Sequence, residues 1–208
     1  MKKRNVLMFL LLGLFIAITV LVMTNHIRTF DDFIYEFIMN YRCDFLDSFF
    51  KMITAFGNTI PILCIIIVLM IGLDKENRYI LGCTTVANTM SNLILKNIFR
   101  RIRPDHMRLI TQGGYSFPSG HAMISITIYG FVIYYIYKTM KNRFWKIFWM
   151  TVFTILILLI GISRIYVGVH YPSDIVGGYS LALGIQILSI TIWENHFWGD
   201  KDGKNDNK

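Results

Sequence analysis

The chain has 208 residues and a mass of 24.3 kDa, with 54% hydrophobic residues, only 16% charged residues and a mean hydropathy of +0.50. Soluble domains carry about 25% charged residues, so an ordinary water-soluble fold is excluded. Twenty-one Lys and Arg against 13 Asp and Glu give a formal charge of +8, which on so apolar a background points to a bilayer or a phosphate-bearing substrate and not to nucleic acid. Cys43, Cys64 and Cys83 are too few and too scattered for a disulfide framework or a zinc site.

Taken in chain order, six charge-poor runs stand out: Val6–Met23, Met52–Leu73, Tyr79–Leu95, Ala122–Tyr137, Ile147–Ile162 and Ile175–Trp193. Each has, or falls just short of, the roughly 17–25 residues that cross the hydrocarbon as a helix. Backbone groups in lipid must be satisfied within their own segment, so the expectation is an all-α integral membrane protein of six transmembrane helices. Val6–Met23 follows Lys2-Lys3-Arg4, is longer than a signal-peptide core and lacks a small-x-small cleavage site, so it reads as an uncleaved anchor. Between the first two runs, residues 29–38 place apolar side chains at i, i+3, i+4 and i+7 with acids opposite, the pattern of an amphipathic helix lying at the interface. Residues 1–198 read as one domain and 199–208 as a disordered polar tail. Oligomeric state is not legible.

Loop charge suggests an orientation. With the N-terminus and C-terminus cytoplasmic, twelve basic residues fall on the cytoplasmic side: Lys2, Lys3, Arg4, Lys75, Arg78, Lys138, Lys141, Arg143, Lys146, Lys201, Lys204 and Lys208. The other side then holds Arg28, Arg42 and Lys51, together with six cations concentrated in two loops: Lys96, Arg100, Arg101, Arg103, Arg108 and Arg164. Those six run against the positive-inside trend, and their expected role is to neutralise a dianionic group at the outer membrane surface.

Three segments on that side carry chemistry. Lys96 and Arg103 lie seven positions apart, a spacing that puts them on one helix face within reach of one anion, with Pro104 stopping the helix. Pro118-Ser119-Gly120 opens a helix, where free N–H groups and a hydroxyl can meet an anion, and it delivers His121 to the mouth of an apolar segment. His170 and Asp174 sit four apart at the start of the last run, where a carboxylate can take one imidazole nitrogen and leave the other as a nucleophile. Taken singly, each segment also has a bland reading: a headgroup-binding basic run, an N-cap, and an interfacial His with a capping Asp.

Together, Lys96…Arg103-Pro104, Pro118-Ser119-Gly120-His121 and Ser163-Arg164…His170…Asp174 resemble the motifs of the type 2 phosphatidic acid phosphatases, or lipid phosphate phosphatases. All eleven specified residues are present in order. The resemblance implies that His170 attacks phosphorus to give a phosphohistidine, that Asp174 orients it, and that His121 is first general acid and then general base. It also implies that Lys96, Arg103, Ser119, Gly120 and Arg164 hold the phosphoryl oxygens, and that neither metal nor other cofactor is needed. The soluble vanadium haloperoxidases of the wider family lack such spans. The compact bacterial members act on phosphatidylglycerophosphate, phosphatidic acid or undecaprenyl diphosphate, and which of these lipid phosphates is preferred stays open. A non-catalytic membrane protein that binds or carries lipid phosphates is the alternative; it would need the cations but not His121 or the His170–Asp174 pair.

Overall fold

The computed structural model describes residues 2–105 and 107–202. Among these lie nine α-helices: α1 (Lys2–Met23), α2 (Arg28–Met39), α3 (Asp44–Ala55), α4 (Thr59–Gly72), α5 (Lys75–Phe99), α6 (Gly120–Ser125), α7 (Phe131–Thr139), α8 (Arg143–Tyr166) and α9 (Pro172–Asp202). A π-helical turn, Ile126–Gly130, joins α6 to α7. The fold is all-helical, as the charge-poor runs required. α9 continues to Asp202, past Gly199 where the polar tail was expected to begin, and residues 203–208 lie outside the described residues.

Among the described residues, four helical segments are long and apolar enough to cross a membrane: α1, α6 continuing through α7, α8 and α9. A fifth is obtained if α3 and α4 are one span, bent by 44°. The single helix expected over Met52–Leu73 is therefore corrected. Gly57 and Asn58 break it, and the extended backbone of Asn58 starts α4 afresh. The expected run Tyr79–Leu95 lies inside α5, which fails on apolarity and not on length. Its 25 residues carry Asn77, Thr84 and Asn88 on the buried face, while Val86, Met90, Leu93 and Ile94 point outward.

The helix over residues 29–38 is present as α2. Phe30, Phe33 and Phe37 are exposed, and Asp31, Tyr35 and Met39 are buried against the protein. Asp31, one of the acids read as lying opposite the apolar face, is wholly enclosed. α5 also ends sooner than expected. It stops at Phe99 with Arg100 in the left-handed conformation (φ 48°), four residues before Pro104, so Arg103 lies off the helix and shares no helical face with Lys96.

α1 packs along α9, and α5, α6, the π-helical turn and α8 pack around the core of Leu81, Phe117, Met123, Ile128, Phe131 and Ile160. One end of the bundle gathers the Arg4–Glu194 ion pair, the Tyr134 hydroxyl donating to Glu194 at 3.3 Å, and Tyr79 stacked on Trp193. Lys96, near the other end of α5, and the loops before α6 and α9 mark the opposite end, where the chemistry-bearing residues meet.

Candidate active site

Two local structures build the site. Ser119 caps α6, its hydroxyl accepting from Ala122 N, and its own N–H donates to the Asp174 carbonyl at 3.1 Å, which ties the Pro118–His121 turn to the first turn of α9. The left-handed Gly168 (φ 78°) turns the chain after α8 and lets Met107 and Arg108 approach closely, so that Val169 and His170 fold back onto the Arg164 carbonyl.

His170 is 2% exposed. Its Nδ1 lies 3.2 Å from Asp174 Oδ2, and its Nε2 lies 3.0 Å from Arg103 Nη1. An ionised Asp174 accepts from Nδ1–H, so the lone pair stands on Nε2, facing Arg103. Burial, reinforced by Arg103 and Arg164, outweighs the pull of Asp174 and pushes the imidazole down to about 3, so the ring is neutral at physiological pH. Asp174 is fully buried; Tyr171 N donates to its Oδ2 at 2.8 Å, the Ser116 hydroxyl donates to the same oxygen, and Arg101 Nη1 donates to Oδ1 at 2.7 Å.

Lys96, Arg103 and Arg164 converge around this pair although they come from α5, a loop and α8. Segment 112–115 holds all three. Lys96 Nζ donates to the Tyr115 carbonyl (3.1 Å), Arg103 to those of Gly114 (3.0 Å) and Gly113 (3.1 Å), and Arg164 to Gln112 Oε1 (2.9 Å). Arg164 also donates to Thr54 Oγ1 (2.6 Å), which ties α8 to α3. The charges of Arg164, Lys96 and Arg103 reach His121, and its Nε2 donates to Asn58 Oδ1 at 2.9 Å.

The loops expected to share one surface therefore do meet. Of the six cations, Lys96, Arg103 and Arg164 face the centre. Arg101 lies behind Asp174, while Arg100 is exposed, donating to the Asn97 carbonyl, and Arg108 donates to the Pro104 carbonyl. The six cations expected to act together are therefore not all at the centre, and the left-handed turn at Arg100 sends successive arginines in different directions. Sequence reasoning missed Asp31, Thr54, Gly57, Asn58, Gln112 and Ser116, and it counted Arg101 among the cations without its place behind Asp174.

The model of the PAP2 superfamily matches residues 78–198. The chain belongs to that superfamily. Phosphatidylglycerophosphatase B of Bacillus subtilis is 27% identical over 175 residues, which cover 81% of this chain and 86% of that protein. Undecaprenyl-diphosphatase BcrC of the same organism is 29% identical over 150 residues, covering 69% and 72%. Among solved structures, the transmembrane PAP2-type phosphatidylglycerolphosphate phosphatase of B. subtilis superposes with a TM-score of 0.79 at 26% identity, covering 94% of this chain and 98% of that one. Aquifex aeolicus LpxE gives 0.67 at 25% identity, covering 78% and 95%. This PAP2 chain thus shares its fold with lipid phosphatases, and its matched region holds every motif residue.

Proposed function

We propose that this protein hydrolyses the terminal phosphate of a membrane lipid through a phosphohistidine on His170. The observation that carries the reading is the buried His170, with Nδ1 on the Asp174 carboxylate and Nε2 3.0 Å from Arg103 where three cations converge. A protein that only bound headgroups would have no need of a neutral imidazole at the centre of its cation cluster.

In the first step Nε2 attacks phosphorus, the bond to the lipid oxygen breaks, and His121 gives that oxygen a proton. Arg103 leaves Nε2 for the phosphoryl oxygens, which Lys96, Arg164, the Ser119 hydroxyl and the Gly120 N–H also stabilise as charge spreads over them. In the second step His121 takes a proton from water, the water oxygen bonds to phosphorus, and the P–N bond breaks to release inorganic phosphate. Charge stabilisation by three cations makes the reaction metal-independent. Terminal phosphates of phosphatidylglycerophosphate, phosphatidic acid and undecaprenyl diphosphate all fit this chemistry.

In the same reading the protein is a multi-pass cell-membrane protein. α5 is the sixth crossing, since 25 residues span about 37 Å and its polar groups face inward. α2 lies at the interface with its three phenylalanines toward lipid, both termini are cytoplasmic, and the site opens on the outer side.

Purified protein in detergent should release phosphate from lipid phosphates with EDTA present, and brief quenching should trap a phosphoryl group that is lost in acid. Turnover that requires added Mg²⁺, or an acid-stable label, would sink the mechanism.

A further inference from the structure

α2 buries Asp31, Tyr35 and Met39, and Asp31 is completely enclosed. Its Oδ1 accepts from Ser173 N (2.9 Å), and its Oδ2 accepts from Ser173 Oγ (2.5 Å) and Arg101 Nη2 (2.6 Å). The other end of the same guanidinium, Nη1, donates to Asp174 Oδ1 (2.7 Å) and to Ser173 Oγ (2.7 Å). The Arg101 plane sits over the Tyr171 ring, 4.5 Å from its centroid, and Tyr171 packs on Tyr35. One guanidinium thus bridges two buried carboxylates contributed by helices at opposite ends of the sequence.

Asp174 has two oxygens with separate duties. Oδ2 faces the His170 Nδ1, and Oδ1 pairs with Arg101. A carboxylate gripped at only one oxygen can turn about its Cβ–Cγ bond. Arg101 holds the other oxygen, and Asp31 with Ser173 holds Arg101. Burial alone would weaken the guanidinium's hold on its proton, but Asp174 and Asp31 outweigh burial and shift it upward, so the bridge stays charged. A buried ion pair is a weak source of net stability, so stability alone is a poor reason to enclose two carboxylates and a guanidinium here.

We propose that Arg101 and Asp31 are positioning residues for the nucleophile, a carboxylate–guanidinium–carboxylate relay through which α2 fixes the Asp174 oxygen that orients His170. The proposal rests on the phosphohistidine reading above. Lysine cannot replace the fork, because an ammonium has no planar pair of donors with which to face two carboxylates at once.

The test is burst kinetics of the full-length protein in detergent with nitrophenyl phosphate. Burst amplitude counts competent sites, and the burst rate constant reports the attack of His170. Asp31→Asn and Arg101→Lys should each lower the rate constant by about 10²-fold, the scale of a roughly 1 Å misplacement of a reacting group, with KM and amplitude close to wild type. Ser173→Ala, a milder change on the same relay, should move the rate constant in the same direction by a smaller factor and guards against a variant that fails to fold. Rate constants equal to wild type, or a loss confined to amplitude, would overturn the relay, since the residues would then only support folding. A wild-type protein that gives no burst and no phosphate release from any lipid phosphate would instead overturn the phosphohistidine reading itself.

Discussion

His121 and His170 differ in the surroundings that fit each to its proposed step. His170 has both ring nitrogens engaged inside the protein, one by Asp174 and one by Arg103, whereas His121 sits at the start of α6 with Asn58 holding one nitrogen. A lipid alkoxide needs a proton to leave and a nitrophenolate does not. His121→Ala should therefore cost about 10²–10⁴-fold on a lipid phosphate but far less in the nitrophenol burst, and equal losses on the two substrates would remove the general-acid role. The burial of His170 also has a consequence for stability. Its native value of about 3 lies below the ordinary 6.5, so between those values the unfolded chain takes up a proton that the native protein refuses. This contribution is complete above pH 6.5 and is lost as pH falls toward 3. The thermal midpoint should drop with acidification below pH 6.5, and His170→Asn should flatten that slope; an unchanged slope would contradict a neutral buried imidazole. The motif residues themselves were legible in the sequence because their chemistry is unusual in a membrane chain. Their partners Thr54, Asn58 and Gln112 were not, because single polar residues in loops and helix ends carry no pattern.

Among the elements, the break between α3 and α4 matters most to the site. The bend at Gly57-Asn58 turns what reads as one apolar run into two helices, and it puts the Asn58 amide on His121. A Cβ at Gly57 would lie 2.7 Å from His121 Cδ2 and 3.3 Å from Cγ, well inside van der Waals contact with an imidazole. Gly57→Ala should displace that ring and lower turnover on a lipid phosphate by about 10-fold or more, with the same sparing of the nitrophenol burst as His121→Ala. Wild-type turnover would mean that the ring yields without consequence. The run Met52–Leu73 concealed this break, because hydropathy sums over Gly57 and Asn58 without registering a change of direction. α2 was visible from its 3.6-residue period, but the enclosure of Asp31 was not. A carboxylate in a 3.6-residue pattern is assigned to the polar face, and its enclosure depends on Arg101 and Ser173 donors that only the fold brings to it.

At the scale of the molecule, basic residues divide between the two ends of the bundle, and the proposed topology follows from that division. In protein freed of the exposed Cys43, Cys64 and Cys83, a cysteine at Ile110 should react with an impermeant thiol reagent in intact cells and one at Asn142 should not. The reverse pattern would invert the topology while leaving the chemistry in place. By itself the sequence determined that the chain is helical and membrane-embedded and which residues could do phosphoryl chemistry, because apolarity, charge-free run length and reactive side-chain type are local properties. Only the tertiary structure decided which cations gather around His170, that Asp31 points inward, and that Arg101 spans it and Asp174 from 70 and 73 positions away. Those outcomes depend on the direction in which each turn sends the chain and on which buried groups find partners, and these are set by packing between segments far apart in the sequence.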